Sequence, residues 1–211
     1  MILSEKKKVA FLYNPKTGSS TMSKLLEVAK SRSTGHAHEL TIDKFVKDPE
    51  NYKLYAFYRE PVERYISALN YIKKSKEGMY QILQYFLGVG FSSAKVVGYD
   101  NLSDELRFKI DSLSPIKYLE VFLKNNLVLP VFYKQISWLD KPNMTLLDYR
   151  DFDNNARFVC NLFDVKVDKI PWVNQSVKIN NVSELNSRDI SEIKDYYKED
   201  YVFLESRGIR F

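Results

Sequence analysis

The sequence contains a single cysteine, Cys160. One thiol excludes an internal disulfide framework and fits a reducing compartment. It sits in Ala156-Arg157-Phe158-Val159-Cys160-Asn161-Leu162-Phe163, an apolar helical pattern, and reads as a buried structural thiol rather than a nucleophile. No apolar run approaches the roughly 20 residues that span a bilayer. The run behind the basic cluster Lys6-Lys7-Lys8 is Val9 to Tyr13, short of the about 7–15 residues of a signal-peptide core. There are no repeats and no low-complexity tracts. Neither sign of charge dominates, since 32 basic and 27 acidic side chains leave a net +5. That excess suits an anionic ligand, but it is too small and dispersed to indicate nucleic acid, and no DNA- or RNA-binding motif is present. What is there is an ordinary globular composition, 45% hydrophobic and 28% charged over 211 residues, enough for one domain with a sizeable core.

The first half alternates strand and helix. Residues 8–13 read as a strand and residues 20–31 as a helix, with Met22, Leu25, Leu26 and Ala29 on one face. Leu54 to Tyr58 is a second apolar strand. Pro61 then opens a helix, where proline is welcome at the first position, with the stripe Val62, Tyr65, Ile66, Leu69 and Ile72. This order, with strands apolar throughout, predicts a parallel sheet covered by helices. From Gly78 to about Asn126 the chain reads as mainly helical, with Ile116, Leu119, Phe122 and Leu123 on one face. Thr145 to Tyr149 is a third buried strand, followed by a helix from about Asn154 to Phe163. Val173 to Asn181 is a polar surface loop. One last helix from about Ser187 turns Ile190, Ile193, Tyr197, Tyr201 and Leu204 inward. No break marks a domain boundary.

Two segments carry chemistry. Tyr13-Asn14-Pro15-Lys16-Thr17-Gly18-Ser19-Ser20-Thr21 joins a strand to a helix. Its backbone N–H groups and the positive end of the helix converge on one spot, which favours an anion. Gly18 permits close approach, Ser19, Ser20 and Thr21 add hydroxyls, and Lys16 adds a mobile charge. The alternative is an ordinary strand–turn–helix joint with a solvated lysine. The second segment is Arg59-Glu60-Pro61-Val62-Glu63-Arg64-Tyr65-Ile66-Ser67. Arg59 stands at a strand end, where open α/β sheets bind ligands. Ser67 follows on the polar side of the next helix, so guanidinium and hydroxyl can hold one phosphate from two directions. The alternative is an Arg59–Glu63 ion pair and a surface serine. Taken together, two anion sites on neighbouring strand ends fit a mononucleotide with both 5′- and 3′-phosphates.

These segments resemble the sulfotransferases, closest to the Golgi-type carbohydrate enzymes. Pro15-Lys16-Thr17-Gly18-Ser19-Ser20-Thr21 looks like their 5′-phosphosulfate loop, and Arg59 to Ser67 looks like their 3′-phosphate motif. The likeness is strong over residues 8–75 and weaker later, in Met144 to Phe152 and Asp195 to Tyr201. It implies one sulfotransferase domain over residues 1–211, an α/β fold with a P-loop-like loop, and 3′-phosphoadenosine-5′-phosphosulfate (PAPS) as donor, without a metal. It also implies in-line transfer. Lys16 contacts the bridging oxygen and sulfuryl group. Thr17, Gly18, Ser19, Ser20 and Thr21 hold the 5′-phosphate, and Arg59 and Ser67 the 3′-phosphate. Ser176 and Lys178, in Asn174-Gln175-Ser176-Val177-Lys178, fall where relatives close over the nucleotide; a solvated turn is the alternative.

The only histidines, His36 and His38, lie between the two motifs. Their spacing resembles the His-x-His of uronyl 2-O-sulfotransferases, which implies His38 as base, with His36 assisting or binding substrate. Other branches use a glutamate, so Glu39 stays open, as does a plain solvated loop. The acceptor is expected to be a small molecule or glycan hydroxyl, with no nucleic acid and no membrane span. Golgi members carry an anchor that is not visible here, so the expectation is a soluble, cytoplasmic enzyme or a trimmed form of a longer one. Two rivals remain. A P-loop kinase or hydrolase would use Asp148 for magnesium, but the loop lacks the Gly-Lys-[Ser/Thr] ending. A non-catalytic binder of anionic glycan or nucleic acid would use the basic excess and the fifteen tyrosines.

Overall fold

The computed structural model describes residues 1–27, 48–74, 103–124, 130–171, 173 and 182–211. The chain forms two compact units, one of Met1–Glu60, Lys134–Gln175 and Glu199–Phe211, the other of Pro61–Tyr133 and Ser176–Lys198. The strands are β1 (Ile2–Ser4), β2 (Val9–Phe11), β3 (Lys53–Tyr58) and β4 (Met144–Asp148). The helices are α1 (Ser19–Leu26), α2 (Pro61–Lys74), α3 (Asp104–Asp111), α4 (Pro115–Lys124), α5 (Ile136–Leu139), α6 (Phe152–Leu162), α7 (Ser187–Tyr196) and α8 (Lys198–Ser206). Among the described residues no helix is long and apolar enough to cross a membrane.

The first unit is an α/β layer structure around an open sheet with spatial order β1-β2-β3-β4. β2, β3 and β4 run parallel, as the strand–helix alternation predicts, while β1 is an antiparallel edge. That edge strand corrects the expectation of a wholly parallel sheet. The basic cluster next to it is the hairpin turn, with Lys8 at φ 53°, and it folds Ile2 opposite Phe11 and Leu3 opposite Ala10. Successive side chains on a strand point to opposite faces. Val9, Phe11, Tyr55, Phe57 and Leu147 therefore join Met22, Leu25 and Leu26 of α1 and Phe152, Ala156, Val159 and Cys160 of α6 in one core layer. Ala10, Leu54, Ala56, Tyr58 and Met144 join Leu139 of α5 and Phe203 and Leu204 of α8 in the other. With both faces covered, β2 and most of β3 read as continuous apolar runs, while β4 at the edge leaves Thr145 exposed. Cys160 is buried as expected, and burial pushes its thiol up to about 11.

The second unit gathers α2 against α4 and α7. All five residues of the expected α2 stripe are buried. Its largest fully buried side chain is Arg64. Nη1 donates to the Val131 carbonyl at 3.1 Å and Nη2 to the Tyr133 carbonyl. The guanidinium lies over the Tyr197 ring, 5.5 Å from its centroid. The Tyr197 hydroxyl takes the carbonyl between them, that of Phe132, at 2.9 Å. Three successive carbonyls at the end of a 3₁₀ turn are thus satisfied by two side chains. Arg64→Met strands two of them and is expected to lower stability by roughly 2–4 kcal/mol. A urea titration followed by circular dichroism measures this, and an unchanged midpoint refutes it.

The single C-terminal helix expected from Ser187 is two. Asn186 caps α7 by accepting the Asp189 N–H at 2.8 Å. The helix stops at Tyr197, at φ −95° and ψ 15°. The boundary between the two compact units falls at Lys198, so the buried residues on either side of the break serve different cores. In the middle of the chain α3 and α4 agree with the helical expectation. The side chains of Phe122 and Leu123, residues 28–31 of the first expected helix, the segment with both histidines and most of the expected Val173–Asn181 loop lie outside what is described.

Candidate functional site

The carboxyl ends of β2, β3 and β4 each release a residue of interest in the first unit. The loop after β2 reverses sharply into α1. Lys16 takes φ 68° and Gly18 φ 78°, left-handed conformations that cost an L residue roughly 1–2 kcal/mol. Gly18 is where the main chain must also pass close to α6. A Cβ there meets the Phe152 ring at 2.3 Å. Gly18→Ala combines both penalties and is expected to lower stability by roughly 2–4 kcal/mol. Thermal and urea unfolding check this, and a loss below 1 kcal/mol, about the scale of an ordinary surface change, counts against it.

The loop holds its own shape through Asn14, whose side chain is buried. The Asn14 carbonyl accepts the hydroxyls of Thr17 at 2.8 Å and Ser19 at 2.5 Å. The Thr21 hydroxyl accepts the Val173 N–H at 3.2 Å. Hydroxyls read from sequence as anion donors therefore also shape the loop. Each has a single proton, and Thr17 and Ser19 give theirs to the main chain. Ser20 is half-buried on the first turn of α1. The first bond of α1 runs from Met22 N–H to the Gly18 carbonyl at 3.0 Å, so the N–H groups of Ser19, Ser20 and Thr21 have no partner within the helix.

Arg59, one residue beyond β3, reaches back to this loop. Its Nη1 donates to the Lys16 carbonyl at 3.4 Å. Its guanidinium lies over the Tyr149 ring, 4.7 Å from the centroid, a cation–π contact. Tyr149 meets Phe152 edge-on at 5.6 Å, and Phe152 stacks on Phe57 at 4.9 Å. The floor under the Arg59 guanidinium is therefore aromatic. Burial, and secondarily the charge of Arg59, lowers the Lys16 ammonium from 10.5 to about 8. Two cations are held together in a setting that disfavours charge, an arrangement that an anion relieves.

A buried polar network fixes the strand ends. The Gln135 side chain is fully buried. Its Oε1 accepts the Arg59 N–H and the Asn14 amide, each at 3.0 Å. Its Nε2 donates to the Arg59 carbonyl at 2.8 Å. The Asn14 amide also donates to the Phe57 carbonyl at 2.9 Å. Asp200 on α8, buried too, accepts the N–H groups of Gln135 at 2.8 Å and Ile136 at 2.9 Å. At the end of β4, Arg150 grips both oxygens of Asp148, at 2.6 to 3.1 Å. Burial works against the Asp148 carboxylate, yet the bonds from Arg150 outweigh it and hold its pKa below the usual value.

Of the residues singled out in the sequence, Lys16, Thr17, Gly18, Ser19, Ser20, Thr21 and Arg59 come together in the first unit. Ser67 is half-buried on α2, in the second unit. His36, His38, Glu39, Ser176 and Lys178 lie outside the described residues. Tyr149, Gln135 and Asp200 were not foreseen. For Tyr149 there was a signal: it stands three residues before Phe152, a spacing that places two side chains on one side of a helical turn. No protein-family model matches the chain, and no curated protein or solved structure matches it.

Proposed function

We propose that this chain is a sulfotransferase that moves a sulfuryl group from PAPS to an acceptor hydroxyl, with a carbohydrate as the acceptor class. The observation that carries the reading is the pairing of Lys16 and Arg59 across the ends of β2 and β3, on an aromatic floor. The donor set fits a phosphorylated nucleotide. It offers two cations, a helix start with open N–H groups, and a glycine where any side chain would collide with Phe152. PAPS, when bound, supplies the activated sulfuryl group. Lys16, in its charged form, stabilises negative charge at the loop, and its largely buried setting strengthens that effect. Arg59 offers a planar fork to a second phosphate, and Tyr149 restricts where that fork points. His38 is assigned the acceptor proton, on the resemblance alone. The kinase reading needs Asp148 as a metal ligand, and the grip of Arg150 on that carboxylate favours sulfotransfer over it.

Ligand-induced stabilisation tests the reading. A ligand at about 100 times its dissociation constant adds roughly 2.7 kcal/mol. Adenosine-3′,5′-bisphosphate in the presence of EDTA is expected to raise the melting temperature. A shift produced only by ATP with magnesium favours the kinase instead, and one produced only by heparin or an oligonucleotide favours a binding protein. Mass spectrometry of candidate glycans incubated with PAPS then identifies the acceptor.

A further inference from the structure

Gln135 bonds to neither the Lys16 ammonium nor the Arg59 guanidinium, yet every polar atom of its side chain is directed at the Arg59 main chain or at the Asn14 amide. By pairing with both the N–H and the carbonyl of Arg59, its amide extends the hydrogen-bond ladder one residue past β3. By accepting from Asn14, it grips the residue whose carbonyl gathers Thr17 and Ser19. Asp200 in turn holds the Gln135 main chain. The two cation-bearing segments lie 43 residues apart in sequence and meet on this one buried side chain.

We propose that Gln135 is the positioning residue of the two-cation site: its buried amide locks the backbone of Arg59 to the Lys16 loop, and so sets the spacing at which an anion is bound. An aliphatic residue of the same length fills the volume and removes the lock. The anion-binding arm of the test rests on the sulfotransferase reading, while the geometric arm does not.

In the geometric arm, the Lys16 ammonium is titrated by NMR with isotope-labelled lysine, assigned by its loss in Lys16→Met. Burial and Arg59 lower this ammonium to about 8, and its midpoint is expected to move back toward that of an ordinary lysine in Gln135→Met, because Arg59 and the loop separate and solvent enters. An unmoved midpoint in the folded variant overturns the proposal. In the binding arm, adenosine-3′,5′-bisphosphate is expected to bind Gln135→Met about 10–100-fold more weakly by calorimetry, the scale of a small misplacement of binding groups. Unchanged affinity overturns the proposal. Leu139→Ala on α5, buried in the opposite core layer, is the control for mere destabilisation. It is expected to leave both readouts in place, and a loss as large as that of Gln135→Met counts against positioning. If Gln135→Met does not fold, Gln135→Asn keeps the amide but cannot span both Arg59 groups, and it carries the same two expectations. Should the wild-type protein bind no nucleotide, the functional reading fails while the titration still decides the role of Gln135.

Discussion

Replacing Lys16 with methionine is expected to lower turnover by about 10²–10³, the cost of losing one preorganised charge donor, and at the same time to stabilise the unliganded protein. The second effect follows from the first residue's setting. The gap between 10.5 and about 8 corresponds to about 3 kcal/mol against the charged form in the fold. Below pH 8 both folded and unfolded Lys16 are protonated, and the folded chain carries the full penalty. Between 8 and 10.5 the folded lysine has released its proton while the unfolded one has not, so wild-type stability rises with pH through that window. Methionine has similar length and no charge. Lys16→Met should therefore gain roughly 1–3 kcal/mol at neutral pH, with the advantage fading above pH 8. Kinetics report the same group. kcat/KM should fall above about pH 8, while the alkaline limb of kcat lies higher, because a bound anion favours the ammonium. A loss of stability in Lys16→Met together with undiminished turnover would make Lys16 a structural residue and remove it from the site.

What was legible in the sequence was what local patterning controls. β2 and β3 announced themselves because burial on both faces makes them almost wholly apolar, β4 showed only through its Leu146-Leu147 pair, and Pro61 marked the start of α2. The meeting of Lys16 with Arg59 was also legible, since parallel neighbours place both loops at the same end of a sheet. β1 was hidden by its brevity: three residues beside a lysine-rich turn have no period to read. The break at Tyr197 was hidden because Ile193, Tyr197 and Leu204 keep a helical spacing across it, while the boundary between the two compact units falls beside it. Gln135, Asn14 and Asp200 were hidden for a different reason. Their bonds span 43 to 121 residues and join side chains to distant backbone groups or to each other, which no pattern of residue types records. The aromatic floor was half visible. Tyr149 and Phe152 follow the last strand in an obvious cluster, but that Arg59 would lie on Tyr149 depended on the register of β3 with β4, Tyr58 opposite Asp148.

His38→Ala is expected to cost about 10²–10⁴ in turnover, the range for removal of a general base, while leaving the affinity for adenosine-3′,5′-bisphosphate close to that of the wild type. A sugar hydroxyl is a poor nucleophile at neutral pH and must lose its proton as its oxygen bonds to sulfur. Among the described residues at these strand ends two carboxylates are already engaged: Arg150 holds Asp148, and Glu60 accepts the Tyr201 hydroxyl. The proposed reaction needs a base, and the sulfotransferase resemblance assigns it to His38, one of the two histidines in the segment that joins α1 to β3. An unperturbed histidine titrates near pH 6.5, so it is a competent acceptor of protons where Lys16 is still charged. The two groups together predict a bell-shaped rate profile, with an acidic limb from His38 and an alkaline limb from Lys16. His38→Ala should abolish the acidic limb and keep the alkaline one, whereas Lys16→Met should do the reverse. His36→Ala separates base from substrate binding: a role in binding raises KM for the acceptor with the acidic limb intact. If His38→Ala retains both the rate and the limb while Glu39→Gln loses them, the proton goes to Glu39.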